Sequence, residues 1–245
     1  VSSFMVPLFD SYETSTVYLF ERVFWWLHII GIFFFLNYLY YSKHLHILLA
    51  FPNTYYANLE SKGKFGILES VKNEVLLMFY PEKASQSNGN VDKFGASDVL
   101  DLNWVQLMNA YSCTECGRCT SECPANLTGK KLSPRKIMMD TRDRLEKVSK
   151  NISVNKGKFV DDGDRLLDNY ITKEELWACT SCNACVEACP INIDPLSIIM
   201  DMRQYLIMEE SSAHPDLNNM MNNIENNGAP WPYNQQDREL WIQES

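Results

Sequence analysis

Cysteines stand at positions 113, 116, 119 and 123 in CTECGRCTSECP, and again at 179, 182, 185 and 189 in CTSCNACVEACP. Both runs have the spacing C-x2-C-x2-C-x3-C followed by proline, and together they hold all eight cysteines of the chain. Three cysteines at i, i+3 and i+6 let one tight loop curl around a metal cluster and present three thiolates to it. The fourth lies where the chain leaves the loop. The proline after it has a fixed φ and no N–H, which helps turn the chain away.

Two other uses of this pattern fit less well. A disulfide framework belongs to small secreted domains, whereas this chain has 245 residues and is otherwise free of cysteine. Zinc is the competing metal, but four regularly spaced cysteines ending in Cys-Pro, occurring twice, match a zinc site poorly. In two-cluster ferredoxins with this spacing, the fourth cysteine of one run ligates the cluster held by the other. On that pattern one [4Fe–4S] cluster takes Cys113, Cys116, Cys119 and Cys189, and the second takes Cys179, Cys182, Cys185 and Cys123.

The cysteine runs belong to a longer repeat. SPRKIMMDTR (Ser133 to Arg142) follows the first, and DPLSIIMDMR (Asp194 to Arg203) follows the second. Each begins with a helix-capping residue, then proline at the first helical position, then an apolar stretch. The repeating unit is therefore a cysteine loop followed by a capped helix. TKEE, Thr172 to Glu175, has capping-box spacing and predicts a short helix leading into the second run.

The amino-terminal fifty residues are far more apolar than the rest. Val23 to Tyr41 runs nineteen residues without a formal charge, and as a helix it spans ~28 Å against the ~30 Å of a bilayer's hydrocarbon core. Trp25 and Trp26 lie near one end and Tyr38, Tyr40 and Tyr41 at the other, as aromatic belts do. Asp10, Glu13, Glu21 and Arg22 flank the first end; Lys43, Lys62 and Lys64 follow the second. That bias places the residues after Tyr41 in the cytoplasm, where thiolates also stay reduced.

These signals predict a mainly α protein in four parts. Residues 1–53 form a membrane segment, with a transmembrane helix from about 17 to 41 continuing to about 51. Residues 54–98 connect it to an α-helical two-cluster ferredoxin domain over 99–210, and 211–245 form a partner-docking tail. Phe51-Pro52-Asn53 reads as a helix end, Glu82 to Asn90 as a polar linker, and about Lys147 to Tyr170 as a loop. The net charge of −9 argues against nucleic acid as a partner. No cysteine is spare and no dinucleotide fingerprint is present, so the chain shows no catalytic site of its own.

FGASDVLDLNWVQLMNAYSCTECGRCTSECPA, GKKLSPRK, LWACTSCNACVEACPINI, DMRQYL and NIENNGAPW together resemble membrane-linked iron–sulfur oxidoreductase subunits related to heterodisulfide reductase. The resemblance implies an α-helical ferredoxin domain and a cysteine-rich catalytic module with a CCG motif. That motif is absent here, so the module is expected on another polypeptide or beyond this sequence. LHIIG with His28 and SKHLHI with His46 resemble the last helix of a nitrate-reductase gamma-type cytochrome b domain. On one continuous helix these histidines would share a face ~27 Å apart, each offering one ligand to a heme b completed by helices outside this chain. The implied function is electron transfer in a bacterial cytoplasmic-membrane complex, between quinone or heme and a cytoplasmic catalytic partner. The alternative is a membrane-anchored, ferredoxin-like adaptor that serves a soluble dehydrogenase without heme.

Overall fold

The computed structural model describes residues 12–42, 44–61, 63–64, 66–67, 69–81 and 93–243. Asp10, Lys43 and Lys62 of the charge argument, and the linker Glu82 to Asn90, lie outside the described residues. Helices α1 (Thr14–Leu39), α2 (Leu45–Tyr55) and α3 (Glu69–Phe79) precede the cysteine-bearing half. There the order is α4 (Trp104–Ser112), α5 (Arg118–Ser121), α6 (Pro124–Leu127), α7 (Pro134–Val154), α8 (Lys173–Ala178), α9 (Ala184–Glu187), α10 (Pro195–Met208) and α11 (Pro215–Asn227). A short α12 (Leu240–Gln243) closes the described part. Among the described residues the only β feature is one isolated bridge between Leu167 and Ile171.

From Val23 to Leu39 helix α1 carries no formal charge and is apolar around most of its circumference, and Trp26, Phe33 and Phe34 stand exposed. A helix of that kind is a buried core element or a membrane span, and this one packs no part of its apolar window inside the protein. Among the described residues it is the one helix long and apolar enough to cross a membrane.

The span differs from the expected continuous helix. It ends at Leu39, residues 40–42 turn, and α2 starts afresh at Leu45. Pro52 does not end α2, which runs on to Tyr55. Only the carbonyl four residues back loses its partner, a small loss in a final turn held by packing on α4. Asn53 is buried at that contact and donates to the Ile191 carbonyl at 2.9 Å.

The core forms where the two repeats meet. In α7 the buried residues Pro134, Ile137, Met138, Thr141, Arg144 and Val148 fall at three- and four-residue intervals. In α10 the corresponding face is Pro195, Leu196, Ile198, Ile199, Met202 and Leu206. Ser133 accepts from the Lys136 amide and Asp194 from the Ser197 amide, so both helices start at the expected caps. Thr172 and Glu175 complete the capping box of α8. Further boxes at Asp98/Asp101 and Asn103/Gln106 set the approach to the first run.

One further stretch departs from the sequence reading. The loop expected from Lys147 is helical to Val154, because Val148 continues the buried stripe and Ile152 packs on the core. The Asn-rich beginning of the tail folds as α11, capped by His214 and closed by Gly228 in the left-handed region.

Candidate metal centre

The two cysteine loops share one backbone. Glu115 and Ser181, two residues after the first cysteine of each run, have φ of 59° and 56°. Gly117 and Asn183, one residue after the second, have φ of 84° and 60°. Left-handed residues at these points curl the chain inward. In each loop the amide of the left-handed residue donates to the first thiol, Glu115 N–H to Cys113 Sγ and Ser181 N–H to Cys179 Sγ, both at 3.4 Å. A one-turn helix follows each loop, and these helices, α5 and α9, touch one another.

All eight cysteines are free thiols. Cys113, Cys116, Cys119, Cys185 and Cys189 line one cavity of about 110 Å³. Cys179 lies within electrostatic reach of Cys182 and Cys123, and Cys185 within reach of Cys179. Cys189 of the second run thus stands with the thiols of the first loop, and Cys123 of the first run stands near Cys179. Cys119 and Cys185 are the point where the two groups adjoin.

Burial pushes the thiols of Cys113, Cys119 and Cys179 above their usual range, and that of Cys185 up to about 12. Such groups cannot hold several thiolate charges unaided, whereas bound iron deprotonates a coordinating thiol outright. Among the described residues no three His, Cys, Asp or Glu side chains converge closely enough to share one metal ion. Tetrahedral zinc needs sulfurs ~3.8 Å apart from its ~2.3 Å bonds. A cubane spreads its four thiolates over separate iron corners, and an all-cysteine donor set is the one that group takes.

The arginine at the same place in each repeat braces its loop. Arg142 donates to the Glu115 carboxylate at 2.7 Å. Arg203 donates to the carbonyls of Leu176 and Cys179 at 2.6 and 2.5 Å, and to the Ser181 hydroxyl at 3.3 Å. The repeated arginine was visible in the sequence; its attachment to the loop was not. Arg118 and Arg135, which also line the first cavity, carried no signal of their own.

His46 lies beside the first cysteine group, lining the same cavity together with Ala50. The stack of the His44 and His46 rings, 6.5 Å apart, adjoins it. His28 lies on the exposed surface of α1. Because the chain turns between α1 and α2, the two histidines do not share one helix face, which corrects the geometry expected of a continuous helix.

Residues 112–193 match the 4Fe-4S dicluster domain family. The "Probable iron-sulfur-binding oxidoreductase FadF" of Bacillus subtilis is 31% identical over 90% of this chain and 33% of its own length. The "EtfAB:quinone oxidoreductase" of Syntrophomonas wolfei is 26% identical over 96% of this chain and 33% of its own. One subunit of the "Ferredoxin/F(420)H(2)-dependent CoB-CoM heterodisulfide reductase" of Methanosarcina acetivorans is 29% identical over 46% of this chain and 56% of its own. The chain spans about a third of the length of the first two.

Proposed function

We propose that this chain, which is related to heterodisulfide-reductase-type iron–sulfur oxidoreductases and carries a 4Fe-4S dicluster domain, is the electron relay of a membrane-bound oxidoreductase complex. One [4Fe–4S] cluster is held by Cys113, Cys116, Cys119 and Cys189, the other by Cys179, Cys182, Cys185 and Cys123. When bound, such clusters supply one-electron redox chemistry. The chain's own residues hold the thiols at fixed spacing, donate N–H groups to sulfur and pack the two sites side by side. The observation that supports this reading is Cys189 lining the cavity of the first loop while Cys123 lies within electrostatic reach of Cys179.

The membrane end of the relay is α1, with the rest of the chain on the cytoplasmic side of a bacterial inner membrane. Its exposed apolar surface from Val23 to Tyr38 supports this, as do Glu13, Glu21 and Arg22 toward one end and Lys64 beyond the other. Quinone or heme b exchanges electrons there, and a CCG-motif cysteine-rich protein on another polypeptide is the cytoplasmic partner. The name of the Syntrophomonas relative supports a quinone. For heme, His46 beside the first cysteine group supports a short step to the cluster. Beyond its own helix backbone, nothing lies within 4 Å of where a side chain at Gly31 would start, one turn from His28. The turn after Leu39 favours the second reading, a membrane-anchored ferredoxin-like adaptor without heme.

The purified complex tests both levels. About eight iron atoms per chain are expected from two cubanes, and Cys123→Ser should damage the cluster of the second loop rather than the nearer first. Iron near four, or zinc in its place, overturns the relay. A reduced-minus-oxidised spectrum with b-type bands selects the heme-linked form, and its absence selects the adaptor.

A further inference from the structure

We infer that the first cysteine group, beside α2, holds the cluster of higher reduction potential, so that an electron in this chain settles on the side facing the membrane helix. The inference rests on the two-cluster reading above. The internal repeat serves as its control, because the levers that set a cluster's potential are hydrogen bonds to sulfur, solvent exposure and local charge. The first is closely matched: one amide donates to the first thiol of each loop, at 3.4 Å in both, and the third thiol of each has one further partner, the Thr120 side chain for Cys119 and the Val186 backbone for Cys185. The second is matched for three ligands, with Cys116 and Cys182 exposed and the first and third cysteines partly buried in both runs. The fourth ligands differ, Cys189 half-buried at the first site and Cys123 buried at the second, and deeper burial disfavours added negative charge at the second.

Charge is not matched. Where the first repeat has Arg118 and Arg135, the second has Ala184 and Leu196 at the same places. Both arginines line the cavity of Cys113 and Cys119. Where the first repeat caps its helix with neutral Ser133, the second uses Asp194, which lies within electrostatic reach of Cys185. One difference runs the other way, since Glu115 stands where the second loop has Ser181 and neutralises Arg142. The first site is left with Arg118, Arg135 and Arg142 against Glu115; the second has Arg203 against Asp194. A cluster gains negative charge on reduction, so the more positive surroundings favour the reduced state and raise the potential. Transfer moves one electron from the second site to the first, with no bond or proton moved.

Arg118 and Arg135 are exposed, so solvent and salt weaken their field. The expected effect of both is therefore about tenfold in the reduction equilibrium, which for one electron is about 59 mV. The test is a potentiometric titration of the purified complex followed by electron paramagnetic resonance. Serine at Cys116 or at Cys182 alters one spectrum each and identifies the sites. In the wild type the first site should reduce at the higher potential. Arg118→Gln with Arg135→Gln should shift the first site's equilibrium about tenfold toward the oxidised form and leave the second unchanged. Asp194→Asn keeps a helix cap and should raise the second potential alone. A higher potential at the second site, or an unmoved first site in the double variant, overturns the ordering while iron stays near eight. Iron near four overturns the two-cluster reading and the ordering with it.

Discussion

Arg144 offers the sharpest test of how the cysteine frame is held together. Its side chain has no solvent exposure, and Asp98 and Asp162 keep 15% each. Nε and Nη2 donate to Asp98 at 2.9 and 2.7 Å, Nη1 and Nη2 to Asp162 at 2.6 and 3.0 Å, and Nη2 also to the Asp164 carbonyl at 2.5 Å. One guanidinium thereby ties the segment before α4, helix α7 and the connection toward the second cysteine run. Arg144→Met leaves two carboxylates and a carbonyl without their main partner. Removing one member of a buried ion pair costs about 3–5 kcal/mol. Asp98 keeps the amides of Val99 and Leu166 at 2.8 and 3.1 Å, which places this case near the lower half of that range. A loss of about 3–4 kcal/mol corresponds to roughly 10²–10³ in the unfolding equilibrium.

Urea unfolding of the cluster-loaded protein under anaerobic conditions measures it, by far-ultraviolet circular dichroism and cluster absorbance in parallel. Coincident transitions license the two-state comparison. Hydrogen bonds from Arg144 hold the Asp162 carboxyl below the usual carboxylate range. Its folded pKa is lowered, so its stabilisation is complete above the unfolded value of about 3.9 and is lost as pH falls through the folded pKa. The gap between wild type and Arg144→Met should therefore be full at pH 7 and narrow below about pH 4. Adding Asp98→Asn and Asp162→Asn to Arg144→Met should recover part of the loss. A loss under about 1 kcal/mol at pH 7, the scale of an exposed pair, would refute the reasoning.

Two further outcomes follow from packing. At Gly95, φ is +80° and a Cβ would meet the Asp201 carbonyl and the Tyr205 amide of α10. Gly95→Ala should destabilise by roughly 1–3 kcal/mol, measured by the same unfolding curves. In the tail, Ala229 is buried whereas Trp231, Tyr233 and Trp241 are 46%, 67% and 71% exposed. Truncation after Pro230 should leave iron content intact and weaken association with the partner subunits in size-exclusion chromatography of the complex; full retention of the partner would refute a docking role.

The helix starts were legible because their signals are local. Ser133 with Pro134, Asp194 with Pro195, and Thr172 with Glu175 each act within one turn, and each cap stands where its spacing predicts. The end of α7 was not legible. Lys147 to Val154 is polar in composition, but Val148 and Ile152 continue a stripe that packing on the core keeps helical. Arg144 was hidden for a related reason, since nothing in its neighbourhood marks a guanidinium as a core side chain until Asp98 and Asp162 arrive from elsewhere in the chain.

The sequence by itself determined the donor chemistry, the loop repeat and the apolar span, because each rests on residue type and short spacing along one stretch of chain. Tertiary structure decided what distance in sequence conceals. It set Cys189 beside the first loop and Cys123 beside the second, and it seated His46 against the first group after a turn between α1 and α2. It also turned two similar arginines to different tasks, Arg142 onto a carboxylate and Arg203 onto loop carbonyls. Caps and loops are settled within a few residues of backbone; the charge around each cysteine group depends on which parts of the chain the packed core brings together.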